Sequence, residues 1–220
     1  MIKKMMSLFA VIFTFLFINI APVEAAEISD SSGPMQVSSA KKTASLNPTS
    51  VSLGSVRAAV YNADTDTLLF SKNADVTAPI ASITKLMTAM VILDAKQPLA
   101  EYLTIKKVTR SSSKNGYSRM RPESQLRRRD LLRLALMASE NRAASTLAYY
   151  YPGGFDAFVI AMNDKAKHLG MMKTHFVDAT GLSLGNISTA ADLVKMVTAA
   201  EGYERIKEYS TTKTFTARFK

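Results

Sequence analysis

The feature that most constrains the fold of this chain is a nearly uncharged segment with a helical pattern. Between Asp75 and Asp94 the only charged residue is Lys85. Within residues 79–93 the apolar side chains recur at steps of three and four, which predicts a helix with one apolar stripe, made of Ile83, Leu86, Met87, Met90 and Val91. Pro79 is placed where a helix begins, because its fixed φ suits a first turn. A helix this apolar is expected to bury Lys85.

Ser82 lies three residues before Lys85, so a helix places both side chains on one face. A serine hydroxyl becomes a good nucleophile when a base takes its proton, and a lysine amine is such a base when burial lowers its pKa. The alternative is a surface lysine beside a helix-capping serine. Spacing alone favours that alternative, because Ser-x-x-Lys occurs four more times, at Ser38/Lys41, Ser39/Lys42, Ser111/Lys114 and Ser210/Lys213.

The amino terminus predicts export. Lys3 and Lys4 precede an apolar core at residues 8–18, which is followed by small residues suited to cleavage. We therefore expect residues 1–25 to be a signal peptide and residues 26–54, rich in Ser, Ala, Thr and Lys, to be a flexible linker. An uncleaved anchor is the alternative, but the apolar core is short for a bilayer span. No stable membrane anchor is expected after cleavage.

Composition narrows the function classes further. The 220 residues are 47% hydrophobic, enough for one substantial domain, and include no cysteine, so stability must come from a packed core. The formal net charge is +10, and it is +9 once residues 1–25 are removed. For an exported protein this charge favours cell-wall polymer or lipid head groups as partners and excludes nucleic acid. The run Arg127-Arg128-Arg129 is interpreted as a solvated face at a helix start.

Downstream of the linker the pattern predicts a β-hairpin and then helices. Residues 56–61 and 67–71 alternate like two strands around a turn. Residues 106–129 form a polar, basic stretch in which Ser111-Ser112-Ser113 and Asn115-Gly116 predict loops and turns. Further helices are predicted at residues 130–138, up to residue 149, at residues 155–169, and from a Ser188 or Thr189 cap to residue 199.

A polar break, Ser139-Glu140-Asn141, separates two of these apolar helices. Buried helices would hold such side chains at the edge of the core, where each needs a partner. Ordinary helix capping is the alternative, and Ser-x-Asn also occurs at Ser45/Asn47, Ser71/Asn73 and Ser113/Asn115. His168 and His175 lack metal-ligand spacing and a catalytic context, so both are expected to be structural or exposed. The sequence contains no phosphate loop or metal cluster, and no cofactor is expected.

Together these segments resemble the low-molecular-mass penicillin-binding proteins, the serine D-alanyl-D-alanine peptidases, and among them the endopeptidases most. The resemblance covers residues 55–212, and its motifs are PIASITKLMTAM at 79–90, YSRMRP at 117–122, LLRLALMASENRAAS at 131–145, YYPGG at 150–154 and TGLSLGNISTAADL at 180–193. It implies an α+β fold of the β-lactamase/DD-peptidase type, with a helical lobe packed on an antiparallel sheet.

The resemblance also implies residue roles. Ser82 resembles the acylated nucleophile, whose backbone N–H forms half of an oxyanion hole, and Lys85 resembles its general base. Ser139 would relay protons toward the leaving amine, and Asn141 would hold the substrate backbone. The implied reaction is attack on a D-Ala amide of peptidoglycan peptides in the periplasm, with β-lactams as covalent inhibitors.

The third family motif, Lys-Thr-Gly, does not occur: its partial matches are Lys42-Thr43-Ala44, Lys173-Thr174-His175 and Lys213-Thr214-Phe215. In the family this motif binds the substrate carboxylate and supplies the second oxyanion donor. A lone hairpin is also marginal and leaves an apolar face uncovered. We therefore expect residues 55–220 to be an incomplete peptidase domain that lacks later strands and is impaired in catalysis.

Two other functions stay open. A β-lactamase would share the first two motifs, but class A enzymes need a glutamate for deacylation after the second, and no glutamate lies between Asn141 and Glu201. A non-catalytic module that binds penicillin or peptidoglycan is the other alternative. The choice of endopeptidase over carboxypeptidase rests on resemblance alone.

Overall fold

The computed structural model describes residues 53–107, 118 and 120–220. The predicted signal peptide and nearly all of the predicted linker lie outside the described residues. So do three of the other Ser-x-x-Lys pairs, at 38/41, 39/42 and 111/114. The described residues contain six helices and three two-stranded antiparallel sheets, which confirms the predicted α+β class.

The first sheet is the predicted hairpin. Strand β1 (Ala58–Asn62) pairs with β2 (Thr67–Lys72), and the register shifts at a bulge between Val60 and Tyr61. The Asn62 side chain closes the turn by accepting hydrogen bonds from the backbone N–H groups of Asp64 and Thr65. Such an asparagine at the start of a turn stabilises it locally, which is why the turn could be predicted.

The other two sheets join distant segments. Strand β3 (Ala78–Pro79) pairs with β6 (Ile187–Ser188), and β4 (Tyr102–Thr104) pairs with β5 (Gln125–Arg127). Strand β5 was not predicted within the polar stretch, and the predicted loops and turns at residues 111–113 and 115–116 lie outside the described residues. The strand spans three residues, too few to show an alternating pattern, and the pairing is decided by buried Leu103 and Leu126, which lie opposite each other.

The helices follow the predicted order. They are α1 (Thr84–Asp94), α2 (Arg128–Met137), α3 (Asn141–Tyr149), α4 (Gly154–His168), α5 (Ala190–Ala200) and α6 (Glu204–Ser210). Thr189 caps α5 by accepting a hydrogen bond from the Asp192 N–H, as predicted. The seven-residue α6 was not predicted, because two turns carry little periodic signal.

Helix α1 lies at the centre of the helical core and touches all the other helices. The single apolar stripe predicted for it is wrong: Ile83 and Leu86 are only partly buried, whereas Thr84, Lys85 and Thr88 are fully buried. A helix surrounded by neighbours buries all its faces, so its polar side chains must find partners inside the protein. Pro79 lies in β3, and a 3-10 turn at Ala81–Ile83 leads into the helix.

Arg128 corrects the interpretation of the arginine run as a solvated face. Its side chain is 1% exposed, and it donates hydrogen bonds to the Glu101 carboxylate at 2.6 Å and to the Gln97 Oε1 at 2.9 Å. The loop before β4 brings these acceptors against the start of α2, a long-range contact that a local pattern does not contain. Arg128 is therefore a structural ion-pair partner.

Replacing Arg128 with alanine is expected to lower the free energy of unfolding by about 2–3 kcal/mol, because a packed side chain is lost and the oxygens of Gln97 and Glu101 lose their donor. Denaturant unfolding measures the effect. Arg129→Ala is the control: the Arg129 side chain is 42% exposed and lies 3.8 Å from Asp130, so its loss should stay below about 0.5 kcal/mol. Equal losses would show that the buried Arg128 side chain contributes no more to stability than the exposed Arg129 side chain.

Candidate active site

Ser82 and Lys85 meet where the 3-10 turn joins α1. The Lys85 ammonium donates hydrogen bonds to Ser82 Oγ at 2.9 Å and to the Thr180 carbonyl at 2.7 Å. Lys85 is only 2% exposed, whereas Ser82 is partly exposed. The predicted burial of Lys85 is confirmed, and the pair combines a sheltered amine with a hydroxyl that a ligand can reach.

The burial changes the chemistry of the amine. Desolvation lowers the pKa of Lys85 from 10.5 to about 8, against the attraction of the nearby Asp178 and Glu140 carboxylates. Roughly a tenth of the amine is then neutral at pH 7, compared with less than one part in a thousand for an exposed lysine. Lys85 can therefore accept a proton from Ser82 near neutral pH.

The backbone before Ser82 has an unusual conformation. Ala81 has φ of 45°, in the left-handed region that non-glycine residues rarely occupy. The turn is held by its neighbours, because the Ile80 N–H donates to the Asn186 carbonyl at 3.0 Å and Pro79 pairs with Ile187. The conformation of the serine turn thus depends on contacts with a segment about a hundred residues away in sequence.

That segment, residues 178–186, is the part of the site that the sequence analysis missed; we call it the clamp loop. It contacts three polar side chains of α1: Thr84 Oγ1 accepts from the Asn186 side chain at 2.9 Å, Lys85 donates to the Thr180 carbonyl, and Thr88 donates to the Ala179 carbonyl at 2.8 Å. The available signal was Thr84 and Thr88, one helical turn apart beside Lys85 in an apolar helix, which together predict a buried polar partner.

Gly181 is the point of closest approach between the clamp loop and the serine turn. Its φ is 79°, and a Cβ atom built on it would lie 1.8 Å from the carbonyl oxygen of Ala81. The loop therefore needs glycine for two reasons, the left-handed backbone and the direct packing of backbone on backbone.

Ser139 and Asn141 lie where α2 gives way to α3. Ser139 has φ of 52° in the connecting loop, and Asn141 is the first residue of α3. The capping alternative is wrong for both, because Glu140 is the N-cap and accepts from the Arg142 N–H at 3.1 Å. Asn141 Oδ1 is buried and has no hydrogen-bond partner among the described residues.

The structure connects Ser139 and Asn141 to the Ser82–Lys85 pair only indirectly. Within residues 53–107, 118 and 120–220, no hydrogen bond joins either side chain to Ser82 or Lys85. Glu140, between them, is close enough for its charge to raise the pKa of Lys85. The roles predicted for Ser139 and Asn141 stay predictions.

The two histidines lie outside this site. His168 contacts the Asp164 carbonyl through Nδ1 at 2.7 Å, and exposed His175 pairs with Ile187 through its backbone.

Across the described part of the chain no group of His, Asp and Glu residues could hold a metal ion, and no helix is long and apolar enough to cross a bilayer. An open cavity of about 580 Å³ lies between α4 and residues 171–177. Neither Ser82 nor Lys85 lines it.

Residues 41–220 match the D-alanyl-D-alanine carboxypeptidase family. The chain belongs to this family. The D-alanyl-D-alanine endopeptidase of Escherichia coli K12 is 47% identical over 180 residues, which are 82% of this chain and 58% of that protein. The endopeptidase of Pseudomonas aeruginosa is 51% identical over 173 residues, 79% of this chain and 56% of that protein. This carboxypeptidase-family chain thus spans a little over half the length of these two curated relatives.

Solved structures agree with the family assignment. Penicillin-binding protein D2 from Listeria monocytogenes, in its cefotaxime-bound form, superposes with a TM-score of 0.66 at 31% identity, covering 77% of this chain and 72% of that one. The Streptomyces K15 DD-transpeptidase gives a TM-score of 0.70 at 28% identity, covering 77% and 69%. The predicted resemblance and the predicted DD-peptidase-like fold of the carboxypeptidase family are confirmed.

Proposed function

We propose that the protein is a serine-type D-alanyl-D-alanine peptidase that forms an acyl-enzyme on Ser82. The observation that carries the proposal is the 2.9 Å hydrogen bond from buried Lys85 to Ser82 Oγ, together with the low pKa of that amine. A serine beside a neutral amine is an activated nucleophile. The endopeptidase relatives support a substrate of peptidoglycan stem peptides or cross-links.

In the proposed reaction Lys85 in its neutral form takes the proton of Ser82 Oγ while that oxygen attacks the carbonyl carbon of a D-Ala amide. The C–N bond then breaks, the proton passes to the leaving amine, and water hydrolyses the ester on Ser82. The Thr180 carbonyl accepts from Lys85 and so fixes the amine beside Ser82. The backbone N–H of Ser82 is proposed as one oxyanion donor.

Ser139 and Asn141 are proposed for the substrate side of the site. Ser139 would relay the proton to the leaving amine, and Asn141 would hold the peptide backbone of the substrate. The position of Asn141 supports the second role, since it is the first residue of α3 beside the loop that carries Ser139 and its amide has both a donor and an acceptor for a peptide group. Neither role needs a metal or a cofactor.

The proposed location is the periplasm, where peptidoglycan lies and where the predicted signal peptide would deliver the chain. β-Lactams are proposed as covalent inhibitors, since they imitate the D-Ala amide. The Listeria relative in cefotaxime-bound and ampicillin-bound forms supports this proposal.

The test is intact-mass analysis of the purified chain after incubation with benzylpenicillin. We expect one penicilloyl adduct, formed over hours because the chain contains no Lys-Thr-Gly, and no adduct on Ser82→Ala. Ser210→Ala is a matched control: Ser210 and Lys213 have the same Ser-x-x-Lys spacing, but Ser210 is exposed and donates to the Lys207 carbonyl. This variant should acquire the adduct at the wild-type rate.

Four outcomes would oppose the proposal. Wild-type protein without an adduct, or an adduct that persists in Ser82→Ala, would remove Ser82 as the nucleophile. Rapid turnover of nitrocefin would favour a β-lactamase. An adduct on Ser82 without any cleavage of purified muropeptides would favour a penicillin-binding module that is not a peptidase.

A further inference from the structure

The Asp178 carboxylate organises the clamp loop. Its Oδ1 accepts from the backbone N–H groups of Thr180 and Gly181, both at 2.6 Å, and from Thr180 Oγ1 at 3.0 Å. Its Oδ2 accepts from the Ser183 N–H at 2.8 Å. One side chain therefore holds three backbone N–H groups of the loop, and a charged acceptor makes stronger hydrogen bonds than a neutral one.

The same turn carries the groups that contact the nucleophile and its base. The Thr180 carbonyl accepts from Lys85 at 2.7 Å, and Gly181 packs directly on the Ala81 carbonyl before Ser82. The positions of both groups follow from the peptide units that Asp178 holds. A buried lysine amine needs such a fixed acceptor, because it has few other partners once water is excluded.

Charge provides a second link between Asp178 and Lys85. Among the described residues two carboxylates act on the amine: Asp178 from the clamp loop and Glu140 from the segment between α2 and α3. Both favour the ammonium form and oppose the effect of burial. Of the two carboxylates, Asp178 raises the pKa of Lys85 more.

We propose that Asp178 is a positioning residue for the acylation step: its carboxylate holds the Thr180–Gly181 peptide units against Lys85 and the serine turn. Its negative charge has a second, smaller effect, because it favours the ammonium form of Lys85 against the larger effect of burial. The inference rests on the proposed function. It adds that the reactivity of Ser82 depends on a side chain that touches neither the substrate nor Ser82.

Two variants test the two effects of Asp178 separately, its hydrogen bonds to the loop and its negative charge. In Asp178→Asn one amide oxygen can still accept from Thr180 and Gly181, while the negative charge and the bond to Ser183 are lost. In Asp178→Ala all five hydrogen bonds to the carboxylate are lost, including a longer one from the Asn186 side chain at 3.4 Å. We expect Asp178→Asn to retain most of the acylation rate at pH 9.5 and Asp178→Ala to lose at least about tenfold.

The pH profile reports the charge effect. For Asp178→Asn the ratio of the acylation rate at pH 7 to that at pH 9.5 should rise about three- to tenfold, because Lys85 then loses its proton at lower pH. Asp192→Asn is the matched control: Asp192 is 4% exposed and accepts from Lys173 N–H, Thr174 Oγ1 and Lys195, but it is not among the carboxylates that act on Lys85. For Asp192→Asn the ratio of the acylation rate at pH 7 to that at pH 9.5 should equal the wild-type ratio.

A direct titration of Lys85 tests the effect of Asp178 on the amine without requiring that Ser82 be acylated. The NMR signal of ¹³Cε in Lys85, assigned with Lys85→Met, should titrate at lower pH in Asp178→Asn than in the wild type whether or not any adduct forms. An unchanged Lys85 midpoint in Asp178→Asn, an equal change in Asp192→Asn, or a wild-type acylation rate in Asp178→Ala would overturn the inference. Absence of the adduct on the wild type alone would overturn only the proposed function.

Discussion

Replacing Lys85 with methionine is expected to slow the acylation of Ser82 by a β-lactam about a hundred- to ten-thousandfold, the usual contribution of a positioned general base. The chain should remain folded. The lowered pKa of Lys85 means that its burial costs about 3 kcal/mol, and methionine removes that cost. The Thr180 carbonyl loses its donor, which costs about 1–3 kcal/mol. These two effects nearly cancel. The free energy of unfolding, measured with denaturant, should therefore change by at most about 2 kcal/mol.

The wild-type acylation rate should rise about tenfold between pH 7 and pH 9. The reactive form is the neutral amine, and its fraction grows as the pH passes through the Lys85 pKa of about 8. Lys85→Arg is the matched control, because it keeps the positive charge and cannot supply a neutral base at these pH values. A flat wild-type profile, or a Lys85→Met rate within threefold of the wild type, would show that Lys85 is not the base.

The pair itself could be predicted because its signals are local. An isolated lysine in an apolar helix implies burial, and a serine three residues earlier implies contact. The hairpin and most helices were also predicted correctly, since alternating or 3.6-residue periods and a turn asparagine are properties of short segments. These features need no knowledge of how distant segments meet.

The rest of the site depends on tertiary contacts. The clamp loop contacts Lys85 and Thr88 through the backbone carbonyls of Thr180 and Ala179. A carbonyl is common to every residue, so no residue type identifies the segment that makes these two contacts. Burial of Arg128 and pairing of Leu103 with Leu126 likewise depend on segments brought together by folding. Thr84 and Thr88 indicate that α1 has a buried polar partner but not which segment it is. Gly181 is a further local hint, but a glycine alone does not reveal whether its backbone angle or its neighbour requires it.

Gly181→Ala is expected to reduce the acylation of Ser82 at least about a hundredfold. The new Cβ would lie 1.8 Å from the oxygen and 2.3 Å from the carbon of the Ala81 carbonyl, so the clamp loop or the serine turn must move. Both contacts are with backbone, which cannot rotate away as a side chain can. A displacement near 1 Å at a reacting group costs about two orders of magnitude in rate.

Gly170→Ala separates this contact from backbone strain. Gly170 has φ of 70°, and a Cβ atom there would meet nothing within 4 Å. Both substitutions place alanine in the left-handed region, at a cost of about 1–2 kcal/mol, so both should lower the free energy of unfolding by at least that amount. Below both unfolding midpoints, only Gly181→Ala should lose acylation, with Gly170→Ala within about twofold of the wild type. Equal acylation rates in the two variants would show that the contact between Gly181 and Ala81 does not position Ser82.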